Sequence, residues 1–135
     1  MKLVALPLFF ALFCMGCSST GKVTSEHLKY TQWQLSKVNG LAIPVSYRAS
    51  MQFIEALQIN GFAGCNKFFG EGDLEDSQLT VNKLGMTRKS CGNELDGFEQ
   101  QLLNTLMQGA AVELKGEQLL LKGVDNFTFI ARTEG

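Results

Sequence analysis

Past its N-terminal apolar stretch, the chain carries a helical period in one segment only. From Asn93 to Gly109, Leu95, Phe98, Leu102 and Leu106 recur at steps of three and four, flanked by Leu103 and Met107. That is the stripe of one amphipathic helix. Asn93 is its expected N-cap, Glu94 and Asp96 suit the positive end of the helix dipole, and Gly109 is a natural stop.

The rest of the domain reads at period two. Tyr30 to Val38 alternates through Trp33 and Leu35 and closes on the turn dipeptide Asn39-Gly40. Ser50 to Phe62 reads as two strands or one bent pair. Asn66 to Leu74 followed by Leu79-Thr80-Val81 reads as a hairpin, with Gly70 and Gly72 as turn or bulge glycines. No Walker spacing accompanies those glycines, so a phosphate cradle is not indicated. Three short strands, 111–115, 118–122 and 127–131, follow the helix as a meander. This order predicts an α+β domain: a curved, mostly antiparallel, partly open barrel-like sheet with one amphipathic helix at about 93–108.

The N-terminus begins with basic Lys2 and an apolar run from Leu3 to Phe13, roughly half the ~20 residues a spanning helix needs. It reads as an export signal over residues 1–16. The end of the run resembles a lipobox. Cys17, preceded by small Gly16, is the expected acylated residue, whereas bulky Phe13 precedes Cys14. Ser18 in the next position implies, by likeness to Gram-negative sorting rules, the outer membrane with the domain facing the periplasm. Residues 17–27 are small and polar and read as a lipidated, flexible tether, leaving 28–135 as one domain. Without Lys2, eleven Lys and Arg face thirteen Asp and Glu. The basic excess that nucleic acid demands is absent.

Two cysteines remain, Cys65 and Cys91. In an oxidising compartment a disulfide is the simplest reading. Two buried free thiols, a redox-active pair and a metal site are the alternatives, although no Cys-x-x-Cys occurs and the sole histidine, His27, lies in the expected tether. No metal or cofactor is expected.

Several of these residues together resemble the META domain family in its HslJ-like lipoprotein form. They are Trp33 and Leu35 before Asn39-Gly40, the run Gly64-Cys65-Asn66-Lys67-Phe68 with Gly70-Glu71-Gly72, and Leu84-Gly85-Met86-Thr87-Arg88 with Cys91. The helix over 94–106 and the late strand Gln118 to Leu121 complete the match, which spans nearly all of the chain after Cys17. The resemblance implies a small β-rich domain with one helix, an association with heat-shock induction and novobiocin resistance, and no established enzymatic activity. Physically, Gly64 allows a positive φ or close approach, and Asn66 and Thr87 can satisfy backbone groups in turns. The alternative is that Asn66, Thr87 and Arg88 line a ligand site.

Catalytic machinery is hard to assemble, because no histidine lies inside the domain and neither HExxH nor GxSxG occurs. A non-catalytic, monomeric, lipid-tethered accessory or binding module for outer-membrane stress is expected, holding an envelope protein or a small apolar ligand. A pilot or chaperone-like lipoprotein, or a carrier of small hydrophobic ligands, is the alternative. Adjacent strand residues face opposite sides, so one of Phe68 and Phe69 should point away from the core as a contact. A carrier needs an interior cavity of about 300 Å³ or more, an adaptor an exposed apolar groove.

Overall fold

The computed structural model describes residues 21–133. The export signal and Cys17 lie outside the described residues. Strands β1 (Gln32–Val38), β2 (Leu41–Ala42), β3 (Ser50–Phe53), β4 (Gln58–Phe62), β5 (Lys67–Glu75), β6 (Gln78–Met86), β7 (Ala110–Lys115), β8 (Gln118–Lys122) and β9 (Asn126–Ala131) form one antiparallel sheet. Pairing follows the order β1-β3-β4-β5-β6-β7-β8-β9, and β9 returns to β1, so eight strands close into a barrel with β2 appended to β1. Helices α1 (Ser25–Leu28) and α2 (Asn93–Gln108) complete the fold. The expected α+β class with a curved, antiparallel, barrel-like sheet is what forms; the ring closes, although its β6–β7 join spans only two residue pairs.

An eight-stranded barrel has an interior just wide enough for side chains to fill. Here the inward alternates do so: Phe53, Ile59, Phe68, Leu79, Leu119, Leu121, Phe127 and Phe129 are almost wholly buried. Gly70 stands at the bulge in the β5–β6 ladder, as expected of a bulge glycine, Gly72 lies inside β5, and both also have a steric role. A Cβ on Gly70 would sit 2.4 Å from Val81 Cγ1, and one on Gly72 2.8 Å from the Leu57 carbonyl oxygen. Glycine here lets neighbouring walls approach, which a small closed barrel demands.

The ring's two remote joins differ. Strands β1 and β9 pair from Trp33↔Ala131 to Val38↔Phe127, with one bulge near Ser36. Strands β6 and β7 share only Gln78↔Ala111 and Leu79↔Ala110. Beyond Leu79, β6 is laddered to β5 alone, as far as Phe68↔Met86. Lys83, in left-handed backbone (φ +49°), marks a bulge in that ladder. The bulge breaks the period-two pattern, so the legible alternation ends at Val81 although the strand runs on to Met86.

Two boundaries are corrected. The polar stretch taken as tether to His27 is already part of the domain from Lys22 onward. Lys22 pairs with Asp76, the Val23 amide donates to Ser77 Oγ (2.8 Å), and Val23 and Leu28 are buried. Two isolated apolar residues show no period, so pattern alone could not place them. His27 serves in a capping box, its Nδ1 accepting from the Thr24 amide. At α2 the N-cap is Gly92 (φ +95°) rather than Asn93. No side chain caps the first turn; Asp96 reaches back to the preceding segment, its carboxylate accepting from the Cys91 amide (2.9 Å) and Ser90 Oγ (2.6 Å). Those two donors, the amide foremost, hold the Asp96 carboxyl below its usual range. Gly109 ends the helix as expected, at φ +100°.

Candidate functional site

Chain leaving β6 at Met86 must reach α2 through 87–92, a segment with no regular structure. Asn66, at the start of β5, holds it. Its Nδ2 donates to the Lys89 carbonyl (2.9 Å) and its Oδ1 accepts from the Lys89 amide (2.8 Å), so the carboxamide imitates one rung of a β-ladder. Oδ1 also accepts from Thr87 Oγ1, which in turn accepts from the Lys67 amide. Every capacity of the Asn66 side chain is used.

The same asparagine grips the helix. Glu99 is 3% exposed, yet its carboxylate accepts from the Asn66 amide and from Asn66 Nδ2, each at 2.7 Å. Charge-assisted bonds of this kind offset much of the cost of burying a carboxylate. The Cys65–Cys91 disulfide, Cα atoms 5.8 Å apart, ties the strand to the start of α2 beside this knot. Gly64 has φ +91°, and a Cβ there would lie 3.1 Å from Leu95 and 3.4 Å from Phe98. Both its expected uses, positive φ and close approach, apply. On the far side of Phe98, Tyr47 packs edge-on (5.1 Å) and donates to Glu94, a bond that raises the phenol's pKa.

Where β6 parts from β7, α2 lies alongside it, and between them runs an open groove of about 1000 Å³. Leu84 and Met86 of β6 and Leu103 and Met107 of α2 supply its apolar lining. Arg88 and Lys89 stand at the end beside the N-terminus of α2, and neither makes an ion pair among the described residues. Asn66 and Glu99 line the same end.

The structure therefore splits the sequence-predicted set. Gly64, Cys65, Asn66, Thr87 and Cys91 are brought together in the knot, where Asn66 and Thr87 are spent on backbone groups. Arg88 faces the groove. Phe68 is buried and Phe69 is 55% exposed, the division that strand alternation requires. Each ring covers a cross-strand glycine, Phe68 on Gly61 and Phe69 on Gly85. Glu99 was missed. Its signal was available: it lies four residues after Leu95 and three before Leu102, a carboxylate inside the apolar stripe. No group of three or more His, Cys, Asp or Glu that could hold a metal ion occurs among the described residues.

The chain as a whole is similar to known proteins in sequence and fold. It is 36% identical to the heat shock protein HslJ of Escherichia coli (strain K12) over 125 residues, covering 90% of this chain and 89% of that protein. A protein solved by NMR superposes with a TM-score of 0.72 at 33% identity, covering 80% of this chain and 94% of the other. A second NMR structure, of a protein from Burkholderia xenovorans, gives 0.67 at 26% identity, covering 81% and 86%. A DUF4847 family protein from Bacteroides vulgatus, with a TM-score of 0.56 at 11% identity over 82% and 98%, shares the fold alone. The family model of the META domain matches residues 26–134, and the chain belongs to the META domain family.

Proposed function

We propose that this protein is a lipid-anchored, non-catalytic accessory module of the bacterial envelope that holds an envelope protein in the α2–β6 groove during stress. One observation carries the choice of adaptor over carrier. The barrel interior is filled by Phe53, Phe68, Phe127 and Phe129, whereas the large concavity lies outside it, open and partly apolar. The name of the Escherichia coli relative supports the stress association. Lipidation at Cys17, the outer membrane as location and the periplasmic facing rest on the sequence of the N-terminus. Any effect on novobiocin tolerance is, in this reading, an indirect result of envelope upkeep. Of the contacts that the sequence singles out, Arg88 lines this groove, whereas the exposed Phe69 lies outside its lining.

Two measurements test this. The full chain expressed in a Gram-negative host with an alkyne-labelled fatty acid should incorporate label, and Cys17→Ala should not; label retained by that variant removes the anchor. A photo-crosslinking residue at position 107, in the groove, should give a discrete heterologous adduct in heat-stressed cells, whereas one at exposed Val124 should not. Equal patterns from the two positions would sink the groove as the partner site.

A further inference from the structure

A closed barrel conceals its strand edges, and this one leaves an edge open at the groove. β6 pairs with β7 only as far as Leu79, so residues 80–86 are laddered on one side alone. The strand appended to the ring, β2, is two residues long, and the one-sided stretches of β5 (72–75) and β7 (112–115) do not line the groove. Unpaired backbone N–H and C=O groups beside an apolar trough, with a helix as its far wall, are the setting in which extended peptides bind by adding a strand. A helical ligand satisfies its own backbone and would leave this edge unanswered.

The trough also carries direction. Leu84 and Met86 stand two residues apart and so share a face of β6. Leu103 and Met107, one turn apart on α2, oppose them. Arg88 and Lys89 lie at one end, while the nearby acids are engaged, Asp96 by Ser90 and the Cys91 amide, Glu94 by Tyr47, and Glu99 by Asn66. The bulge at Lys83, whose ammonium pairs with Glu71 at 3.2 Å, interrupts the β5–β6 register between Asn82 and Gly85, and the part of the edge that lines the groove is 84–86.

We propose that an extended segment of a partner protein adds to the free edge of β6 at 84–86. Its apolar side chains sit at alternate positions against Leu84, Met86, Leu103 and Met107, and an acidic group meets Arg88 and Lys89. This rests on the reading of the groove as the partner site and specifies what that site accepts.

The test uses the full chain, purified in detergent, and a display library of random linear decapeptides. Selection should enrich peptides with alternating apolar residues and an acidic group at one end. Bound to isotope-labelled protein, the chosen peptide should slow amide exchange within 84–86 and shift Leu103 and Met107. An added strand presents only every second amide to β6, so N-methylating that set should weaken binding by about tenfold or more, and methylating the other set by about twofold or less. Arg88→Glu with Lys89→Glu should remove the preference for the acidic end. Failure to enrich such peptides, perturbation away from 84–86, or insensitivity to which amides are methylated would overturn strand addition. A crosslink at position 107 alongside that insensitivity would leave the groove as partner site and discard only the binding mode. No crosslink and no enriched peptide would discard both.

Discussion

The two joins that make this sheet a ring achieve closure by opposite means. Where β9 meets β1, the ladder runs from Trp33↔Ala131 to Val38↔Phe127, and the side chains behind it, Leu35 and Phe129 among them, are core. Where β6 meets β7 there are two rungs, and the rest of the gap is held by α2, the Asn66 knot and one disulfide. The first join is apolar and distributed over many contacts. The second depends on a few directional groups, and it is there that the surface opens into a groove. In a barrel whose interior is filled by its own side chains, an incomplete ladder is where backbone and cavity remain on offer.

The contrast makes graded predictions. Phe129→Ala should cost about 3–5 kcal/mol, read as a lower denaturant midpoint, since it empties a fully enclosed site at the strong join; a loss below about 1 kcal/mol would show that this join is not apolar in its energetics. Replacing Cys65 and Cys91 together by Ser should cost about 3.5 kcal/mol, the loop closure expected for their separation of 26. A thermal melt with and without reductant should reproduce that loss in the native chain, and equal midpoints would remove the staple from the weak join. Asn66→Ala removes the Nδ2 bond to buried Glu99 and both bonds to Lys89, for a loss of about 2–3 kcal/mol. It should also accelerate amide exchange across 87–92 while leaving β8 and β9 protected. Uniform acceleration would mean that the two joins fail as one unit.

The smallest effect is expected from Asp96→Asn. Because the folded carboxyl sits below its unfolded value of about 3.9, its contribution is present above that pH and is lost as acid brings the solution through the folded value. The parent protein should therefore show an acid-limb decline at the start of α2 that the asparagine variant lacks; parallel acid profiles would exclude the Asp96 carboxylate as the tie to Ser90 and Cys91.

Legibility in the sequence follows the same division. The β7–β8–β9 meander and α2 were readable because long apolar periods report burial directly, and Phe68 and Phe69 were correctly opposed by alternation alone. The weak join was not readable in that way. A left-handed Lys83 interrupts the period of β6, the N-cap of α2 is Gly92 at positive φ with no capping side chain to mark it, and Val23 is buried with no periodic neighbour. The place of Glu99 inside the apolar stripe of α2 marks it as buried, but the period says nothing of its partner Asn66, 33 positions earlier. Local pattern reports what faces the core. It does not report which distant backbone group a side chain will meet.

The docking of Lys22 and Val23 on the tip of the β5–β6 hairpin has a consequence for posture. Their hold on Asp76 and Ser77 begins five residues after Cys17, and five residues reach at most about 17 Å when fully drawn out. With a lipid on Cys17, the domain would be moored short, hairpin tip toward the bilayer, and unable to somersault. Gly109, which ends α2, lies against Leu79 and Thr80 near that tip. The Met107 end of the groove would then face the membrane, and Arg88 and Lys89 would face away from it, so a partner rooted in the same bilayer would enter from its membrane-proximal side.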